Sequence, residues 1–380
     1  MLEAFNFTFM TELEEIKNSW YKLFLITLFP LVSFALLILI FYKGVATELP
    51  IVVVDKDKSD LSRKVLFNIN ATATVEVAYK VSSEAEAMRL IKASKAYALV
   101  SIPSHFKRDI YLQKKPNITL MLNTQYILIG KIIKGALVES IMSSAGEIEY
   151  FKSLHETQNS DRSKHRVTPI GLQITPFFNS YKNYFLFLIS ALLPSIWQIF
   201  IVVATIVSFG TLFKRGEEKQ FFSGEFITIK IIGKLFPYTL AFMLLGVLFL
   251  FFIFGTLGWV FQGSWAVMLF TLFLTILAYQ SVALLFFVTG FDYARSLSLG
   301  AVYTAPAFAF LGVTFPIESM NHFAIFWRDL LPITYYMEIQ ISQANYGANI
   351  FLELDNLRSL TLFLFLMIPV IWRFKKRVAI

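Results

Sequence analysis

The sequence contains no cysteine, which removes disulfides, iron–sulfur clusters and thiol chemistry at once. Charge is scarce as well. Asp, Glu, Lys and Arg make up 16% of the 380 residues, against about 25% in an ordinary soluble domain. With 56% hydrophobic residues, 41 Phe and 6 Trp, a purely water-soluble protein is excluded. Catalytic signatures are missing too: there is no Gly-x-Ser-x-Gly, no His-Glu-x-x-His and no glycine-rich nucleotide fingerprint. Gly130-Lys131 and Gly233-Lys234 are followed by Ile and Leu and lack the upstream glycine of a phosphate-cradling loop. The histidines (His105, His155, His165, His322) are scattered, and even His155 with Glu156, Asp161 and His165 is a weak zinc candidate beside a plain polar segment. Asp55-Lys56-Asp57-Lys58-Ser59-Asp60 opens like a calcium loop, but Asp60 stands where glycine is required and Leu66 where glutamate is required. A solvated, capped strand-to-helix turn explains it better. No catalytic, cofactor-binding or metal-ligating residue is expected.

What is present is a set of long uncharged runs, each to be measured against the roughly 20 apolar residues that cross a bilayer. Residues 23–42 form the first, between Lys22 and Lys43; acidic residues precede it, so it reads as a retained anchor rather than a cleaved signal. Residues 184–213 form the second. Residues 235–317 hold the third to fifth: Leu235–Phe291 divides at Gly258-Trp259 and Gln262-Gly263-Ser264-Trp265, and Ser296–Ile317 follows. The sixth, 359–372, is short and borrows Leu354–Leu357, with Arg358 snorkelling. The expected fold class is an α-helical integral membrane protein with six transmembrane helices and an inserted extracytoplasmic α/β domain.

Orientation follows from the basic residues of the short loops. Segment 214–234 holds Lys214, Arg215, Lys219, Lys230 and Lys234, and the tail 373–380 holds Arg373, Lys375, Lys376 and Arg377; segment 318–358 has only Arg328 and Arg358. Both termini are therefore expected in the cytoplasm, with 43–183 and 318–358 outside. The net charge of +8 is dispersed through the outer region among acids, which argues against nucleic acid as a partner.

Within 43–183 the pattern alternates. Strands are expected at Ile51–Val54, Val75–Val81, Tyr97–Ile102 and Ile118–Leu122. Helices are expected at Leu61–Ile69, at Ala85–Ala93 behind the capping box Ser83-x-x-Glu86, at Ser104–Leu112 and at Gln125–Leu154. Such alternation argues for a largely parallel sheet. A polar linker, Ser153–Arg166, and Thr168-Pro169 and Thr175-Pro176 lead back to the membrane.

The six runs hold no Asp, Glu, His or Lys, so an ion-coupled carrier, which needs a titratable group in the membrane, is disfavoured. Asp292 and Arg295 are expected to form an interfacial ion pair. Energy for transport must then come from another polypeptide, and two cytoplasmic elements are placed to receive it. Residues 1–22 form an amphipathic helix, with Leu2, Phe5, Phe9, Leu13, Ile16 and Trp20 at three- and four-residue steps and four Glu on the polar side. It suits the membrane surface while offering acid to a basic partner; the bland alternative is a frayed anchor. In 214–234, Phe221, Phe222 and Phe226 are interleaved with Glu217, Glu218 and Glu225, more aromatics than a solvated loop needs. A short helix that plugs into an ATPase is the expectation.

Four stretches resemble the permease subunits of ABC-2 type exporters, in the branch with a large domain after the first span. They are Leu49–Asp55 continuing through Asp57 and Ser59 to Arg63; Tyr97–Pro103 followed by Phe106 and Asp109; Gly233-Lys234 with Pro237; and Gly312–Pro316, then Leu331–Tyr335 and Gly347. The loop departs from the family pattern, with Glu217-Glu218 after Gly216 and Ser223-Gly224 in place of a Gly-Thr-x-Glu stretch ending in proline. The resemblance implies two permease copies (a homo- or heterodimer) in a bacterial inner membrane, each resting on an ABC ATPase subunit that carries ATP and Mg. It implies hydrophobic or amphipathic cargo, drug-like or lipid-like, which the charge-free runs suit. It also implies an outer domain that docks a periplasmic adaptor or gates the exit. Two rivals are a membrane-anchored sensor or scaffold, disfavoured by six spans and no signalling domain, and the secondary carrier.

Overall fold

The computed structural model of the chain describes residues 1–41, 44, 46–157, 183–224, 226–257 and 259–378. Glu225 and the expected linker beyond residue 157 lie outside these residues. The chain divides into two compact units, Met1–Gly44 with Pro176–Ile380, and Val45–Thr175.

Among its described residues the second unit holds a four-stranded sheet of β1 (Leu49–Asp55), β2 (Val75–Val81), β3 (Ala98–Ile102) and β4 (Thr119–Leu122), in the order β2-β1-β3-β4. Strand β1 pairs in parallel with β2 and with β3, and β4 closes the far edge antiparallel to β3. The continuous apolar run of β1 has a clear cause. Ile51 and Val53 face one core with Val65, Ile69 and Leu137, while Val52 and Val54 face another with Ala87 and Leu99. A strand buried on both faces has no polar position to alternate with. The helices Asp60–Asn70 and Glu84–Lys92 start where Ser59 and Ser83 accept from the backbone N–H of Ser62 and Glu86. The Asp55–Asp60 turn is closed on itself: the Asp55 carboxylate accepts from the N–H of Asp57 and Lys58, each at 3.0 Å, and from the Ser62 hydroxyl at 2.7 Å.

Among the described residues of the first unit, five helices are long and apolar enough to cross a membrane. These are the first span Trp20–Phe41, second Phe187–Lys214, third Ile227–Thr256, fourth Trp265–Val288 and last Ile350–Arg377. The expected run 296–317 is broken. It forms a helix of 12 residues, Tyr293–Thr304, and a short one of 4, Ala307–Phe310. Pro306 lies at the break, where it supplies no N–H to continue the helical ladder. Asp292 caps this helix by accepting from the N–H of Arg295 at 2.6 Å, a backbone bond in place of the expected ion pair. The last span starts at Ile350, nine residues before the expected boundary, which gives it ample length.

Polar side chains link the spans where lipid offers no hydrogen bonds. Trp197 donates to the Phe242 carbonyl at 3.2 Å, Gln280 to Thr239 at 3.0 Å, and Tyr279 to Gln198. Pro194, inside the second span, removes the N–H that would bond the Ser190 carbonyl. Gln340, from the Pro332–Ile341 helix, donates its Nε2 to that carbonyl at 2.9 Å.

Candidate functional site

The two elements singled out in the sequence meet in space. The N-terminal helix (Leu2–Asn18) packs along the third span, where Gly233 leaves room for it. A Cβ at Gly233 would lie 2.1 Å from Thr8 Oγ1 and 2.9 Å from the Phe5 carbonyl. Phe5 and Phe9 pack edge-on against Phe236. The buried stripe is therefore Thr8, Glu12 and Ile16, whereas Leu2 and Trp20 are exposed. Of the four acids, Glu3 and Glu14 are exposed as expected, whereas Glu12 is turned into the bundle.

Glu12 is the centre of the site. It is 1% exposed and receives Lys22 Nζ at 3.0 Å, Tyr238 OH at 2.6 Å, Ser208 Oγ at 3.0 Å and the Lys234 ammonium. Burial alone would raise its carboxyl; Lys234 and Lys22 outweigh that and hold it below the usual carboxylate range. Glu15 extends the cluster, with Lys22 at 2.7 Å and Arg215 at 3.2 Å. One carboxylate from the N-terminal helix thus ties the feet of the first, second and third spans together.

Lys22 and Lys234, expected just outside the membrane runs, lie inside the first and third helices and are buried. A lysine is tolerated there because the N-terminal helix supplies its counter-ion. The loop shrinks accordingly, since the third span begins at Ile227 rather than after Lys234. The signal for this was present: Lys234 is followed by an uncharged run to Phe291, and Glu12 lies four residues from Thr8 and from Ile16. Neither alone names its partner.

The loop carries a five-residue helix, Glu218–Phe222. Lys230 caps its C-terminal end, donating to the carbonyls of Phe221 at 3.0 Å and Ser223 at 2.7 Å. Phe222 is 1% exposed and stacks on Phe374 of the last span at 4.5 Å. Phe221 is half-buried, with Lys234 Nζ 5.6 Å from its ring centre. Phe226 is 45% exposed and Glu217 is exposed, while Glu218 is half-buried. So the expected aromatic trio does not face one way: Phe222 is spent on this chain's own core, and Phe226 is the outward one. A crevice of about 200 Å³ separates the loop from the N-terminal helix, with Thr11, Glu15, Glu217, Gln220 and Lys230 among its walls. Among the described residues no group of His, Asp and Glu is placed to hold a metal ion.

The arrangement is a polar, buried cluster that joins several spans. No curated protein matches the chain. The family described as ABC-2 family transporter protein matches residues 20–373, from the foot of the first span to the basic tail. Its permeases are membrane transport components and not the ATP-binding subunits, with which the family's association is implied. Matched over nearly its whole length by that family and crossed by several apolar helices, the chain belongs to the ABC-2 family of transporters as a multi-pass membrane permease.

Proposed function

We propose that this permease exports hydrophobic or amphipathic compounds, drug-like or lipid-like, and that a separate ABC ATPase drives it by docking at the loop and the N-terminal helix. Both termini face the cytoplasm of a bacterial inner membrane, a reading supported by the nine Lys and Arg of segments 214–234 and 373–380 against two in 318–358. Tyr293 to Phe310, although broken, is the sixth crossing: its 18 residues would rise about 27 Å, close to the hydrocarbon thickness. The Val45–Thr175 unit then lies outside, where it docks an adaptor or gates the exit. Two copies pair, each on one ATPase that holds ATP and Mg.

The observation that carries this reading is the convergence of loop and N-terminal helix on one crevice, with Phe226 and Glu217 turned outward. A push there is delivered to three spans at once, because Glu12 binds Lys22, Ser208 and Lys234. Phe226 is the apolar anchor, and Glu217, Glu218 and Glu225 are the acids that meet a basic rim. Phe221 and Phe222 hold the short helix from within.

The test is Phe226→Ala combined with Glu217→Lys. Losing a buried interface aromatic costs about 2 kcal/mol of binding, so co-purification of the ATPase and export should fall together while abundance is unchanged. Phe222→Ala should instead lower abundance, since emptying a core phenylalanine costs about 3–5 kcal/mol of stability. Full ATPase association and export in the Phe226/Glu217 double variant would remove the loop as the docking element.

A further inference from the structure

A second cavity lies away from the joint, between the fourth span, the Tyr293–Thr304 helix and the last span, with a volume of about 500 Å³. Its walls are almost entirely hydrocarbon. Ser359, Leu362, Phe363 and Leu366 line it from the last span at steps of three and four, one face of a helix. Leu285 and Phe286 face them from the fourth span. The volume falls within the roughly 300–1,000 Å³ typical of small-molecule sites.

The polar groups of this cavity are gathered around one position. Tyr335 donates its hydroxyl to the Asp329 carbonyl at 2.9 Å, and Tyr303 donates to the Leu330 carbonyl. Both hydroxyl protons are thus spent on backbone, and among the lining residues Asp329 is the one with a charged side chain, 52% exposed. Arg328 divides its guanidinium between Asp329, at 3.3 Å, and Glu338. Two carboxylates share one cation, so these three residues sum to one negative charge. Arg358 is exposed and is not part of the wall.

We propose that this cavity binds amphipathic amines, with the hydrocarbon part against Phe286, Leu362, Phe363 and Leu366 and the ammonium at Asp329. An anionic amphiphile of the same length fits the walls but meets the wrong charge. Each methylene moved from water to such walls tightens binding about fourfold, so the chain supplies affinity and Asp329 supplies selectivity. The inference rests on the reading of this permease as one for apolar or amphipathic compounds, and it names where such a compound sits.

The test uses the full chain in lipid nanodiscs with three photoreactive probes of equal length: dodecylamine, dodecanol and dodecanoate, each with a diazirine near the tail end. Dodecylamine should label the 359–366 stretch saturably and more strongly than the other two. Asp329→Asn should weaken dodecylamine labelling by about three- to fivefold, the size of a half-exposed charge pair, and leave dodecanol unchanged. Leu362→Trp should suppress all three. Because Asp329 is half-exposed, its variant keeps the test decisive even if the tryptophan disturbs packing. Equal labelling by the three probes, indifferent to Asp329→Asn, would make the cavity a groove filled by bilayer lipid and overturn the proposal. Export is read separately in cells that also contain the ATPase. Cavity labelling without amine export would leave the site standing and remove the cargo reading. Amine export without cavity labelling would do the reverse.

Discussion

Replacing Glu12 by Gln should destabilise the protein more than replacing either lysine that it binds. In the Glu12→Gln variant the amide can still accept from Tyr238 and Ser208, and Lys22 keeps Glu15 at 2.7 Å. Lys234 fares worse: it is 2% exposed, and its remaining neighbours are the rings of Phe209 and Phe221. A buried charge stripped of its partner costs about 3–5 kcal/mol, and the ring faces return part of that, which leaves a loss of about 3 kcal/mol. Lys234→Met removes the cation instead. Glu12 then keeps Lys22, Tyr238 and Ser208, so about 1 kcal/mol is expected. The double variant has no stranded ammonium and should be more stable than Glu12→Gln alone, a coupling of about 2 kcal/mol. Thermal unfolding of detergent-purified protein gives the order of the four melting points. Acidity should act through the same carboxylate. Its folded value lies below the unfolded one, so its stabilisation is complete above the usual carboxylate range and is lost as pH falls through the folded value. The wild type should therefore lose stability below about pH 4 more steeply than the double variant. If Glu12→Gln melts no lower than Lys234→Met, and the double variant shows the sum of the two, the cluster is not a coupled unit.

Two further outcomes test the packing beneath the joint. Gly233→Ala should displace the N-terminal helix, and Thr8→Ala should relieve it only in part, because the Phe5 carbonyl still stands 2.9 Å from the new Cβ; protease sensitivity of residues 2–18 reads this out, and an unchanged digest would refute the close approach. Gln340→Leu should cost about 1 kcal/mol more in the native background than beside Pro194→Ala, where a restored N–H serves the Ser190 carbonyl itself. Equal costs in both backgrounds would show that Gln340 does not serve the proline gap.

Patterns that depend on neighbouring residues were legible in the sequence. The four strands and the capped helices of the Val45–Thr175 unit fall where alternation, apolar runs and the Ser83 capping box place them. The break at Pro306 was less visible, because hydropathy sums over a window and does not register one missing N–H inside it. The direction of each loop aromatic was not visible either. Phe221, Phe222 and Phe226 sit within six residues of one another, yet one stacks on Phe374, more than 150 positions later, and another is turned outward.

The sequence by itself determined that this chain is a membrane protein, that a largely parallel sheet is built from residues 51–122, and that no ATP-binding motif accompanies the spans. Those are properties of composition, periodicity and short spacing. Only the tertiary structure decided where the charges go. Glu12 and Lys234 are separated by 222 positions, and the energy of either one depends on the other's being present. In isolation each belongs in water; together, with Lys22, Tyr238 and Ser208 completing their hydrogen bonds, they are stable at the foot of an apolar bundle.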